Sequence, residues 1–277
     1  DTAKLFDGLK IMEQEEKYTS MQGNVPCIYI TLKDVQGKDF ETMMLALKTE
    51  IVELFIDNAF LLKSEKLLDV EKEMFNTVLN LKATDVDLRN ALKLLSRLLY
   101  KEFDKPVMLF LDEYDVPLQS AYVEGFYDDA VQFFKTFYGV TFKDNPYMEK
   151  TIITGVSRVA KESIFSGANN FKVFTVLDDE FSEDFGITSE EIKKVIKDFN
   201  VEEDEEEIKR WYDGYIIGHT DGIYNPWSIL NYLKNRQLIP YWVNTSSNDL
   251  IKLILKKSST VKQQIESLLK DEEIEVQ

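Results

Sequence analysis

The segment Lys105-Pro106-Val107-Met108-Leu109-Phe110-Leu111-Asp112-Glu113-Tyr114-Asp115 constrains this chain more than any other. The unbroken apolar run from Val107 to Leu111 follows a helical stretch and a proline and shows no alternation. That pattern is expected of a strand buried on both faces of a parallel sheet. Two further runs have the same character, Val25–Thr31 after a Gly23-Asn24 turn signal and Lys150–Val156. Between them lie residues at helical spacing. Phe40, Met43, Met44, Leu47, Ile51, Leu54 and Phe55 predict a helix from Asp39 to about Leu62. Met74, Phe75, Val78 and Leu79 form a second inward stripe. A third helix starts at an N-cap, Thr84 or Asp85, and runs through Leu88, Leu92, Leu95 and Leu99. An aromatic-rich helix carries Phe126, Tyr127, Val131, Phe134, Phe137 and Tyr138. Strands alternating with helices predict an α/β fold, a parallel sheet covered by helices.

The pattern changes after Thr175. Helices near Ser189–Phe199 and Glu203–Tyr212 precede two short strands, Tyr215–Tyr224, read as a hairpin around an Asp221-Gly222 turn. Another helix starts after Asn225 with Pro226 in its first position. A boundary near 176–186 divides residues 1–180 from a small helical or winged-helix-like domain, 181–277. The tail from Lys256 is charged and helical, frayed beyond Asp271. The acidic run Glu202–Glu207 suits a solvated first helical turn, where the helix dipole favours negative charge. Trp211, Trp227 and Trp242 with Tyr212, Tyr215, Tyr224 and Tyr241 read as core packing of this second part.

Charge and composition exclude several classes. With 33 Lys+Arg against 50 Asp+Glu the formal charge is −17, which opposes a surface devoted to nucleic acid or anionic membrane. No apolar run reaches the ~18 residues of a membrane span, and the first residues do not form a signal peptide. The expected location is cytoplasmic. A single cysteine, Cys27, in an apolar run reads as a buried thiol, and one cysteine with one histidine cannot build a structural zinc site. His219 falls in the hairpin turn and reads as a surface residue. Glu191-Ile192-Lys193 and Glu207-Ile208-Lys209 match half of a nuclease signature but lie in charged helices, not on a strand.

The chemistry points to the end of the central strand. Open α/β sheets bind ligands at the carboxyl ends of their strands. Asp112 and Glu113 stand there, the first suited to hold Mg²⁺ through water and the second to orient or deprotonate an attacking water. This is the Walker B arrangement of P-loop ATPases; an acidic turn after a strand is the plainer alternative. Thr154, at the end of the next strand, and Arg158 and Lys161 beyond it offer a polar group and two cations of the kind that sense phosphate. A strand-capping threonine and two surface cations remain the alternative. No G-x-x-x-x-G-K-[S/T] occurs, and Gly37-Lys38 is the only Gly-Lys pair.

Taken together, several stretches resemble the bacterial AAA-ATPase-like family. They are Leu5–Ile11, Leu111–Leu118, Thr154–Arg158, Lys161–Gly167 with Asn169-Asn170, Phe185–Thr188, Trp211–Tyr215, Tyr224–Ser228 and Tyr241–Thr245. The resemblance implies a P-loop ATPase core with Mg²⁺ and ATP as ligands, Asp112 as the metal-binding acid and Glu113 as the water-activating acid. It matches Thr154 or Arg158 to the sensor region. Family members carry a strand, P-loop and helix before the Leu5–Ile11 segment and usually end in a PD-(D/E)xK nuclease-like domain; neither is expected within these residues. In the family's fold a first strand flanking the Walker B strand is expected, so its absence would open a gap in the sheet. The chain alone is expected to bind ATP weakly and not to turn it over. The expected partners are nucleotide, a nuclease-like domain and other copies of the chain. The alternative function is a non-catalytic scaffold that binds protein partners.

Overall fold

The computed structural model describes residues 3–156, 171–201, 205–243 and 259–270. The chain divides into two compact units, Asp1–Asn169 and Asn170–Gln277.

The first unit is built on a three-stranded parallel sheet in the order β1-β2-β3: β1 Cys27–Thr31, β2 Val107–Asp112 and β3 Met148–Ile153. After the short helix α1 (Glu16–Thr19) and β1, helix α2 (Phe40–Asp57) starts because Asp39 caps it, its carboxylate accepting the Thr42 N–H at 2.8 Å. Helices α3 (Asp69–Leu79) and α4 (Asp85–Phe103) follow, the latter opened by a capping box between Thr84 and Asp87. In α3, Phe75 and Val78 face inward as the spacing predicts, while Met74 is exposed. Glu71 is buried and ties α3 to α4 through Lys101 at 2.7 Å and Arg97 at 3.5 Å. After β2 come α5 (Val116–Glu124) and α6 (Tyr127–Phe142). In α6, Phe133, Phe134, Phe137 and Tyr138 recur at helical spacing and are all buried, and the helix packs against α4 and α5.

The sheet departs from the sequence reading in three ways. β2 is fully buried on one face and only partly on the other. Val107, Leu109 and Leu111 are buried on the side where α2 and α4 pack, with Ile28 and Ile30 of β1. The other face carries Cys27, Tyr29, Met108, Phe110, Lys150 and Ile152 in cross-strand register, and there Tyr29 is 61% and Ile152 46% exposed. A run without alternation says that apolar residues occupy both faces, not that both faces are covered. For the same reason the Cys27 thiol is exposed rather than buried. Finally, no gap opens beside the acid-bearing strand: β2 is paired on both sides, and among the described residues β1 and β3 are the edge strands.

The second unit contains α7 (Ser189–Asp198), α8 (Glu205–Tyr212), an antiparallel hairpin of β4 (Asp213–Ile217) and β5 (Thr220–Tyr224), α9 (Pro226–Asn235) and α10 (Ser259–Leu268). Asn225 caps α9 and Pro226 is its first residue, as the sequence predicts. The core gathers Ile192, Ile196, Ile208, Tyr212, Tyr224 and Tyr232. Of the aromatic group read as core, Tyr212 and Tyr224 are buried, but Trp211, Trp227, Trp242 and Tyr215 are each more than two-fifths exposed. The hairpin turn is Gly218-His219, with Asp221-Gly222 inside β5. The displacement has a cause outside the hairpin. Asp179 accepts both the His219 N–H at 2.8 Å and its ring nitrogen at 2.7 Å, and the Gly218 N–H donates to the Val176 carbonyl. Gly218 adopts the left-handed φ of +56° that this turn needs.

Among the described residues no helix is long and apolar enough to cross a membrane.

Candidate active site at the carboxyl edge of the sheet

Asp112 is the last residue of β2, and backbone hydrogen bonds bracket it from both neighbouring strands. The Leu32 N–H donates to the Asp112 carbonyl at 2.9 Å, and the Thr154 N–H donates to the Leu111 carbonyl at 2.9 Å. Parallel pairing therefore continues past β1 and β3 up to the acid, and brings Thr154 beside it although 42 residues separate them. The Thr154 hydroxyl donates to Asp112 Oδ1 at 2.5 Å, and the Glu113 N–H donates to the same oxygen at 3.0 Å. Asp112 Oδ2 receives the Tyr29 hydroxyl at 3.5 Å, at the outer limit of a hydrogen bond. One carboxylate oxygen is thus held by two donors, and the other by a single long contact.

Glu113 follows with φ +54°, a left-handed backbone that is uncommon for a residue with a side chain. The conformation is fixed on its far side by the Tyr114 N–H, which donates to the Thr154 carbonyl at 3.1 Å. The buried Tyr138 hydroxyl of α6 donates to the Tyr114 carbonyl at 2.8 Å. Burial, first, and the negative charges of Asp112, Asp115 and Asp34 raise the Glu113 carboxyl above its ordinary range, against the opposing pull of Lys33. A carboxylate made more basic is better suited to accept a proton from water.

Of the residues singled out in the sequence, the structure brings Asp112, Glu113 and Thr154 together. Arg158 and Lys161 lie outside the described residues. Tyr29, Tyr114, Asp115 and Tyr138 complete the surroundings and were not singled out. Asp115 had a signal, as the third acid of Asp-Glu-x-Asp, whereas the two tyrosine hydroxyls reach the site through tertiary packing alone. Gly37-Lys38 does not cradle phosphate: the helix start beyond it is occupied by the Asp39 carboxylate, which holds the place an anion would take. A Cβ at Gly37 would come within 2.5 Å of the Met43 backbone nitrogen, so this glycine serves close packing. Among the described residues no three His, Cys, Asp or Glu side chains converge as a metal cage.

A three-stranded parallel sheet covered by helices, with an acidic pair at its carboxyl edge and a hydroxyl from the adjacent strand, makes this an α/β unit consistent with a P-loop-like fold. The family model described as predicted AAA-ATPase matches residues 1–165, and the chain belongs to that family. A curated relative from Azotobacter chroococcum mcd 1, named as an uncharacterized protein in the vnfD 5′ region, is 28% identical over 142 residues. That match covers 51% of this chain and 27% of the relative, so the chain spans about a quarter of the relative's length. No solved structure matches.

Proposed function

We propose that this chain carries the Walker B part of an ATPase site whose nucleotide cycle works as a molecular switch. The observation that supports the reading best is the Asp112 carboxylate at the carboxyl end of β2, with Oδ1 held by the Thr154 hydroxyl and the Glu113 amide. In this reading Asp112 orients a hydrated Mg²⁺ through Oδ2. Glu113 positions the attacking water and accepts its proton. Thr154 couples the state of Asp112 to the residues after β3, and Arg158 contributes a cation. Mg²⁺ and ATP, when bound, supply the transferable phosphoryl group and the neutralisation of its charge. The described residues offer no Gly-rich phosphate cradle, so the phosphates would be held by a loop supplied from elsewhere in the whole protein. The chain alone is then expected to bind ATP weakly and not to hydrolyse it.

The wider reading is a cytoplasmic protein with a winged-helix-like second unit, acting with a nuclease-like domain or with further copies of itself, without direct nucleic-acid contact by these residues. The second function is a non-catalytic scaffold derived from the same family. The exposure of Tyr29 and Ile152 on one sheet face favours it, because apolar side chains exposed together suit a protein partner.

Calorimetry with Mg²⁺–ATP separates the two. It is run on this chain, on a form extended upstream, and on the extended form with Glu113→Gln. The ATPase reading expects binding by the extended forms, with hydrolysis lost in Glu113→Gln and binding retained. Absence of binding by every form refutes it and leaves the scaffold.

A further inference from the structure

The turn after β2 buries a third acid that the proposed reaction does not use. Asp115 has no exposed surface, in a stretch where Asp112 and Glu113 are both partly open. Buried carboxylates are costly to desolvate and persist where surrounding groups hold them. Asp115 Oδ2 accepts the Gln119 side-chain amide at 2.6 Å, and its backbone carbonyl accepts the Leu118 and Gln119 N–H groups that open α5. On its other side the carboxylate lies against Gly155. A Cβ at that position would fall 2.6 Å from Asp115 Oδ1, and 2.6 and 2.7 Å from two ring carbons of Tyr114. Gly155 does not lie in the left-handed region, so the glycine is required for space, not for its backbone conformation.

The two segments that meet here are the ones that shape the site. The Thr154 N–H is on Leu111, the Thr154 hydroxyl on Asp112, the Tyr114 N–H on the Thr154 carbonyl, and the Asp115 carboxylate against Gly155. Glu113 sits in the middle of this ladder, in a left-handed conformation that persists only where its neighbours over-determine it. We propose that Asp115, seated on Gly155 and held by Gln119, is a positioning residue that fixes the left-handed turn and thereby aims Glu113 at the attacking water. The inference rests on the ATPase reading above and adds to it the residue that sets the geometry of its base.

The test is made on the full-length natural protein. Asp115→Ala removes the wedge from one side, and Gly155→Ala displaces it from the other. Both are expected to lower kcat for ATP at least tenfold while the Kd of a fluorescent ATP analogue stays within twofold. Asp115→Asn, which keeps the shape and an oxygen for Gln119, retains more activity than Asp115→Ala. A merely structural role would lower affinity, folded fraction and kcat together. The proposal is overturned if kcat stays within twofold in both alanine variants, or if affinity falls in step with kcat. Hydrolysis that is absent in the unmodified protein, or that survives Glu113→Gln, refutes the ATPase reading itself. A crystal structure of Asp115→Ala then decides the positioning role separately. Glu113 is expected to leave the left-handed region, and its remaining near φ +54° with Thr154 still on Asp112 would overturn the role.

Discussion

Replacing Tyr138 by Phe tests whether α6 supports the acidic turn, because it removes one oxygen and nothing else. Tyr138 is 1% exposed, and its ring packs against Phe134, Phe137 and Phe142 at centroid distances of 5.5, 5.4 and 5.9 Å. Phe keeps these contacts, so no cavity larger than an oxygen is expected. What is lost is the 2.8 Å hydrogen bond to the Tyr114 carbonyl. A net hydrogen bond contributes about 0.5–1.5 kcal/mol, and a buried acceptor deprived of its donor raises the loss towards 1–3 kcal/mol. The expected destabilisation is about 1.5 kcal/mol, which for a unit of this size lowers the melting temperature by roughly 3–6 °C. Urea unfolding followed by far-UV circular dichroism measures the energy. Hydrogen exchange read by mass spectrometry locates it, with faster exchange expected at the amides of Tyr114, Val116 and Leu118. All three tryptophans lie beyond residue 210, so their fluorescence reports the second unit and serves as an internal control. Burial, and then the Tyr114 and Asp115 charges, push the Tyr138 phenol well above its ordinary value near 10. A folded-state value raised in this way gives stability that is fully present below the unfolded value and is lost as pH rises through the folded one. The difference between the parent protein and the Tyr138→Phe variant should therefore be constant from neutral pH to about pH 9. A loss below about 0.5 kcal/mol, or unchanged exchange at the turn, would refute the reasoning.

Glu71→Ala removes the carboxylate that Lys101, Arg97 and the Leu68 N–H share, and is expected to cost about 3 kcal/mol in urea unfolding at neutral pH. Burial pushes the Glu71 carboxyl up, but the Lys101 and Leu68 hydrogen bonds and the two cations outweigh it and leave it lowered. Its contribution is therefore present above the ordinary glutamate range and fades as pH falls through the lowered value, so the gap between the two proteins should narrow in acid. Gly37→Ala forces a Cβ to within 2.5 Å of the Met43 nitrogen and 3.0 Å of the Asp39 carbonyl, with an expected cost of about 1–3 kcal/mol in thermal unfolding by circular dichroism. Glu113→Gln has the opposite sign. The raised carboxyl stabilises the fold only while protonated, so the neutral amide is expected to be the more stable form at pH 7 and equal to the parent below the ordinary glutamate range. Equal melting temperatures at both pH values would contradict the assigned environment.

The elements were legible where local periodicity and tertiary packing agree. Helical spacing gives α2, α4 and α6, and the cap Thr84 and the first-position Pro226 stand where side-chain chemistry puts them. The acidic pair at the end of β2 was legible because strand, acid and turn are contiguous. What escaped was set by residues far apart in sequence. The hairpin turn moved from Asp221-Gly222 to Gly218-His219 because Asp179, 40 residues upstream, holds His219. Tyr138 reaches Tyr114 across 24 residues, and no local pattern marks a tyrosine whose hydroxyl rather than ring decides its role. The exposure of Cys27, Tyr29 and Ile152 was unreadable for another reason: an apolar run fixes which residues can be covered, whereas coverage depends on what packs above them.

The sheet order also limits where a phosphate-binding loop can stand. The expectation of a gap beside β2 fails because β1 and β3 occupy both of its sides, and their pairing extends to Leu32 and Thr154. Among the described residues, the strand edges of this sheet without a partner strand are the outer edges of β1 and β3. An added strand can therefore join without breaking existing hydrogen bonds only at one of those edges. At the β3 edge its carboxyl end would arrive next to Thr154, with Asp112 one strand further in. A phosphate held there would sit on the far side of Thr154 from β2, and the Thr154 hydroxyl would lie between that phosphate and the acid it already contacts. At the β1 edge the loop would face Leu32 and Lys33 instead, with Thr31 between it and Asp112 in the register. Thr154→Val distinguishes these geometries when ATP binding by the full-length protein is measured without Mg²⁺, so that the effect through Asp112 drops out: impaired binding supports the β3 side, and unchanged binding supports the β1 side.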